Sequence, residues 1–351
     1  MLKGIDLKEL AARITADKDQ KRDFIAPSNR LGMTVDDSGE LVLQVPQRGN
    51  FPINPLAHRQ IATYADIPAK YYDRMKDGAP DLLADNVNLW MSRMAPERKR
   101  MVRTLGGRAR ALLSNSYQRV EHEEIAEVAL PILAELPSVN IVSAQVTEQR
   151  LYIHFVVPGI EGQVKVGDIV QAGGIISNSE VGQGAVSISG LIWRLACLNG
   201  AKTSDSFRRA HVGRRVEDSE ELWADDTKKA DDKAILLKVR DMVRGVVDET
   251  RFRTQLDKLR LLADPSAKIT GTITEAVTVL ANKVGLSEGI RPSILQSLAE
   301  GGDLTAWGLI NAVTAQAHKA SDYDAAVELE GVGGQLIDLS PAEWKPILQA
   351  A

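Results

Sequence analysis

Apolar and polar positions alternate in short runs through the first two thirds of the chain. "GELVLQVP" carries the period of two that predicts a strand. "ADIPAKYYDRMKDGAPDLLADNVNLWMSRM" predicts two short helices divided at Gly78-Ala79-Pro80. "RMVRTLGGRARALLSNSY" predicts two strands joined by Gly106-Gly107, a dipeptide suited to a tight hairpin turn. "EHEEIAEVALPILAEL" follows as a helix with acids in its first turn, where the helix dipole favours them. "NIVSAQVTEQRLYIHFVVPG" and "DIVQAGGIISNSEVGQGAVSISGLIWRLACLNG" each predict a pair of strands about a polar turn.

From Glu217 the spacing changes to three and four, as in "ADDKAILLKVRDMVRGVVDETRFRTQLDKLRLL", and helices are expected to the end of the chain. The expected fold class is α+β: antiparallel β-hairpins packed with helices over 1–216, then a mainly helical C-terminal region over 217–351.

Composition narrows the class. The chain has 351 residues, 44% hydrophobic and 26% charged, values ordinary for globular proteins, with no apolar run long enough to cross a bilayer. The charged N-terminus lacks the apolar core of a secretory signal, and the single Cys197 excludes an internal disulfide framework. A cytoplasmic location without membrane association is expected.

The net charge of -4 hides segregation. Arg98, Lys99, Arg100, Arg103, Arg108, Arg110 and Arg119 fall in one stretch without an acid; Arg208, Arg209, Arg214 and Arg215 fall in another. Without these eleven cations the remainder stands near -15. Such asymmetry suits a localised anionic partner, whereas solvated faces paired with nearby acids are the plainer reading of either run alone.

Known chemical motifs do not account for the chain. Gly182 and Gly184 raise a phosphate-binding loop, but no Gly-Lys-Ser/Thr follows and "AVSISGLIWRL" has strand periodicity, so the glycines are assigned to a hairpin turn. Cys197 lies among apolar neighbours in "LACLNG", which predicts a buried, unreactive thiol. The five histidines are scattered singly, without metal-ligand spacing. No catalytic residue, metal or cofactor is therefore assigned.

Nucleic acid fits the remaining features. Arg108 and Arg110 would share one strand face, with Arg103 approaching across the hairpin, and a row of guanidinium groups would hold phosphates. Arg194 and His211 join the candidate contacts. Tyr117, Trp193 and Phe207 lie near the basic runs and are candidates to stack on bases, although each also suits a core. Asn178, Ser179, Glu180, Gly182 and Gly184 would shape the turn presenting the next strand.

The blocks "IPAKYYDRM", "ALLSNSYQRVEHEEIAE", "SNSEVGQGAVSISGLIWRLACLNG", "RRAHVGRR" and "WGLINAVTAQAH" occur in an order that resembles the phage- and plasmid-associated family called domain of unknown function 932, over roughly Asn54 to Gly334. The resemblance implies a mobile-element context near replication, recombination or anti-defence functions, and transfers no catalytic residues. The hairpin-helix-hairpin order is also similar in layout to phage single-strand annealing proteins of the RecT and Redβ type.

The leading expectation is a protein that binds single-stranded DNA, or RNA, and promotes annealing or recombination without ATP as a homo-oligomeric ring or filament, alongside host or phage replication or recombination proteins. The alternative is an interaction protein that inhibits or mimics a host nucleic-acid-directed defence system; an enzyme using Cys197 and His211 stands third.

Overall fold

The computed structural model describes residues 2–117, 119–136, 138–184, 186–209, 225–246 and 248–351, with the side chains of 204–209, 225–229, 231 and 232 left aside. The chain opens with α1 (Leu7–Gln20), capped by an Asp6/Glu9 box, and runs straight into β1 (Lys21–Pro27). A meander follows: β2 (Gly32–Val35), β3 (Leu41–Val45) and β4 (Gly49–Pro52), antiparallel in that order. Then come α2 (Pro55–Tyr64), α3 (Ala69–Gly78) and α4 (Pro80–Ser92), the last two divided at Ala79 as the sequence predicts.

The glycine hairpin forms as expected: β5 (Lys99–Leu105) and β6 (Arg108–Ser114) turn at Gly106 and Gly107, both at positive φ. β5 is the centre of a three-stranded sheet, because β1 pairs along its other edge with Asp23 opposite Arg103. One face of this sheet joins the core of α2, α3, α4 and the meander, built on Val102, Ala109, Leu112, Ile61, Leu83 and Leu43.

After α5 (His122–Glu135), the strands β7 (Asn140–Val146), β8 (Leu151–Lys165), β9 (Asp168–Asn178), β10 (Val186–Arg194) and β11 (Asn199–Arg209) form one antiparallel sheet in sequential order. Its strands read as nearly continuous apolar runs because both faces are covered. Leu151, Ile153, Phe155, Ile176 and Ile188 pack under α1, α5 and α6 (Asp225–Gly245). Tyr152, Val156, Ile175 and Trp193 meet Tyr323 and Val327 on the other side.

The C-terminal helices are α7 (Glu249–Leu262), α8 (Ile273–Lys283), α9 (Arg291–Gly301), α10 (Ala306–Thr314), α11 (Tyr323–Ile337) and α12 (Pro341–Leu348). They share one core with Val164, Val170, Ala172, Ile192 and Ala201 of the central sheet, so packing crosses the point where composition changes. Contact is closest where α11 crosses β11: a Cβ on Gly334 would stand 1.6 Å from the Lys202 carbonyl oxygen. The fold is α+β with helices at the C-terminus, and among the described residues no helix is long and apolar enough to cross a membrane.

Candidate functional site

The turn between β9 and β10 is buried at Ser179, Glu180 and Val181 and reaches solvent at Gly182 and Gly184. Ser179 Oγ accepts from the backbone of Val181 at 3.3 Å and of Gln183 at 3.0 Å, closing the turn on itself. Gly182 takes φ 77°, a conformation that favours glycine, with Leu113 Cδ2 2.7 Å from where a Cβ would stand. Neighbouring elements hold the turn from outside: Gln60 Nε2 donates to the Val181 carbonyl at 2.8 Å, and the Tyr117 hydroxyl to that of Ser179 at 3.1 Å. Asn178 Nδ2 donates to the Val120 carbonyl at 2.9 Å and lies 3.0 Å from His122 Nδ1.

Glu180 is 1% exposed and is the hub of an ion network. Its carboxylate accepts from Lys21 Nζ at 2.5 Å, Arg110 at 2.7 Å and the His122 backbone N–H at 2.7 Å, while its carbonyl accepts from Arg103 at 2.7 Å. Arg103, itself 1% exposed, forks to Asp23 at 2.8 Å and Glu121 at 2.5 Å. Arg119 completes the set on Asp23, and Lys21 also reaches Glu121 at 3.1 Å and Glu123 at 2.9 Å. The cations Lys21, Arg103, Arg110 and Arg119 thus balance the anions Asp23, Glu121, Glu123 and Glu180.

The chemistry of this network is that of a lock. Burial alone would raise Glu180, but the charges of His122 in its cationic form, Arg110 and Lys21 hold its carboxyl well below the usual range. Burial also pushes His122 down to about 4, so at neutral pH the imidazole is uncharged and Arg110 and Lys21 carry that effect. For Lys21, burial would depress the ammonium; the charges of Glu180 and Glu121 overcome it and raise its pKa, leaving a firmly protonated cation rather than a nucleophile.

Oxygens of Glu121, Glu123 and Glu180 lie within 4.8 Å of one another, a spacing that could ligate a metal. The Lys21 ammonium contacts all three and occupies the position such an ion would need.

This arrangement corrects the expected arginine row. Arg103 and Arg110 do converge, but on Glu180 inside the protein, beside a β-bulge at which Arg103 is opposite Ala111 and Thr104 opposite Ala109. Both guanidinium groups are buried there, while Arg108, opposite Leu105, stays half-exposed beside Glu40 at 2.5 Å. Four of the seven cations in the acid-free run, Arg103, Arg108, Arg110 and Arg119, are thus paired with carboxylates outside it.

Two of the three stacking candidates are corrected likewise. Trp193 is 5% exposed and belongs to the core under α11, and Tyr117 is partly buried with its hydroxyl on the Ser179 carbonyl. Phe207, Arg208 and Arg209 lie on β11, opposite Ile188, Ser187 and Val186, without described side chains; His211, Arg214 and Arg215 lie outside the described residues. Arg194 forks to Asp168 at 2.6 and 3.0 Å, and Asp168 also accepts from Trp307 Nε1 at 2.8 Å.

Cys197 is exposed, contrary to the expectation from its neighbours. β10 ends at Arg194, and the apolar residues that follow form a hairpin turn in which Leu198 takes φ 49° and is 58% exposed. An Arg194 guanidinium nitrogen lies 3.0 Å from its sulfur, and the nearby His318 ring contacts the Cys197 carbonyl rather than the thiol.

A second group of residues remains open to solvent where β5 begins. Arg98 and Lys99 are exposed, and the Arg98 carbonyl accepts from the Ser28 N–H at 2.7 Å, which fixes the strand entry. Arg100, partly exposed, lies over the Tyr64 ring at 3.8 Å. Just upstream, at the end of α4, Arg93 lies over the 44% exposed Trp90 at 5.4 Å. Only Arg98, Lys99 and Arg100 of this group are singled out by the sequence. Trp90 and Arg93 carry a legible signal in "NLWMSRM", a three-residue helical spacing, but only burial distinguishes Trp90 from a core tryptophan.

Comparison with protein-family models, curated proteins and solved structures gives no match.

Proposed function

We propose that the protein binds single-stranded DNA through the exposed edge formed by Trp90, Arg93, Arg98, Lys99 and Arg100, and that annealing of complementary strands without ATP is the activity this binding serves. The observation that carries the reading is the exposed indole of Trp90 beneath the Arg93 guanidinium, a few residues before the exposed pair Arg98 and Lys99. An aromatic face beside exposed cations is what sequence-tolerant single-strand binding requires: rings stack on bases and cations neutralise phosphates. The buried Glu180 network supports this role by anchoring the same β-sheet from within, since Lys21 and Arg103 lie on β1 and β5.

The mobile-element setting rests on the sequence blocks that resemble the domain of unknown function 932 family. Annealing also implies that subunits assemble along the strand. Filter binding with a labelled thymidine oligonucleotide tests the first step: affinity is expected to be measurable at low salt and to fall as salt rises. Absent binding, or affinity indifferent to salt, refutes the proposal. Mixing fluorescent complementary oligonucleotides without ATP tests the second, with faster pairing expected in the presence of the protein.

A further inference from the structure

At the exposed edge one cation is held in place and another arrives from a distant part of the chain. Arg100 leaves β5 toward α2, and its guanidinium lies 3.8 Å from the centre of the Tyr64 ring. Tyr64 ends α2, packs partly buried against the N-terminal core, and donates its hydroxyl to Ser28 Oγ at 2.7 Å. Ser28 is fully buried, and its N–H holds the Arg98 carbonyl at 2.7 Å. The ring is therefore tied to the same strand entry that carries the arginine stacked on it.

The Arg100 guanidinium receives nothing else from the protein. Its Nε is enclosed without a hydrogen-bond partner, whereas its two Nη atoms open to solvent and meet no acceptor among the described residues. Those outward N–H groups form the fork that fits two oxygens of a phosphate. An arginine already laid on a ring also loses less freedom on binding than one that samples all its rotamers.

Two further arginines flank it. Arg98 and Arg100 stand two residues apart on the ladder with β1, so their side chains leave the same face, about 6.8 Å apart at the rise of a strand. Successive phosphates of an extended single strand are spaced on the same order. Arg30 ends the 3-10 turn Ser28–Arg30, which packs against α4, and it is exposed without an ion-pair partner. Because Ser28 is bonded to Arg98, the fold brings Arg30 to this edge. Glu97, the acid beside Arg98 in sequence, is exposed and pairs with none of the three.

Resting on the single-strand reading above, we propose that Arg30, Arg98 and Arg100 form a phosphate clamp for the backbone of the bound strand, with Tyr64 as the positioning residue that presents the Arg100 fork. Fluorescence anisotropy of a labelled thymidine oligonucleotide over a salt series tests it. Arg30→Gln and Arg100→Gln should each make the slope of log affinity against log salt shallower by about 0.7. Arg100→Lys keeps the charge but loses the fork and the stack, so affinity should fall about threefold or more with the slope retained. Tyr64→Leu should behave as Arg100→Lys does, while Tyr64→Phe, which keeps the ring, should stay within about twofold of the wild type. Arg100→Lys keeps the test open should Tyr64→Leu fail to fold. Inorganic phosphate at matched ionic strength should leave the strand bound; displacement by it would show a site for free phosphate and overturn the clamp. A wild type that binds with salt dependence, while the Gln variants keep its slope or Arg100→Lys keeps its affinity, overturns the clamp and leaves the single-strand reading standing. A wild type without salt-dependent binding overturns both.

Discussion

Glu180 concentrates the consequences that belong to single residues. Replacing it by Gln removes the anion shared by Lys21 and Arg110 and leaves both charges in a buried setting. Breaking a buried pair in this way costs about 3–5 kcal/mol, so Glu180→Gln should lower the urea midpoint sharply; an unchanged midpoint would mean that the network is not a lock. His122 adds a pH dependence. Its imidazole is neutral in the fold down to about 4, whereas the unfolded chain takes the proton near 6.5. Stability is therefore full above 6.5 and declines as pH falls from there to about 4, by roughly 3 kcal/mol.

Partly buried His58, also pushed down to about 4, acts in the same direction, and loss of the depressed Glu180 carboxylate adds to it at lower pH still. Urea midpoints between pH 7 and 4.5 should show the decline, and His122→Gln should flatten part of it; a midpoint constant over that range would contradict the assignment. Cys197, being exposed, should react stoichiometrically with a maleimide in the native protein, whereas a thiol that labels only in denaturant would contradict its place in the turn.

Elements were largely legible in the sequence, and their partners were not. The Gly106-Gly107 hairpin, the break at Ala79 and the pairing of β7 with β8 and of β9 with β10 all follow from local periodicity and turn chemistry. What periodicity cannot give is which distant strand comes alongside. β1 pairs with β5 across some 80 residues, and this long-range pairing delivers Asp23 to Arg103. Period two gives the approach of Arg103 and Arg110 but not their burial, which the distant Glu180 between β9 and β10 decides. The apolar string around Cys197 misleads for a related reason, since a hairpin turn needs backbone conformation more than polarity.

At the same scale, α11 sits so close to β11 that Gly334→Ala drives a Cβ into the Lys202 carbonyl. Helix and sheet must separate, and a destabilisation of about 2 kcal/mol or more is expected from thermal or urea unfolding. An alanine variant as stable as the wild type would show that the approach is not required.

For the molecule as a whole, charge has been sorted by burial as well as by sequence. Of the seven cations between Arg98 and Arg119, Arg103 and Arg110 are sequestered with carboxylates, while Arg98 and Lys99 remain exposed. A body of net charge -4 repels nucleic acid except where such a local surplus persists, so binding should depend on few residues rather than on a broad field. The most direct measurement is the affinity of a single-stranded oligonucleotide over a salt series for the wild type and for Arg98→Gln/Lys99→Gln. If these two cations hold phosphates, the variant binds at least tenfold more weakly at low salt, and its slope of log affinity against log salt is shallower by about 1.4, at about 0.7 per phosphate contact. An unaltered fold with wild-type affinity and slope would contradict the assignment of this edge as the nucleic-acid interface.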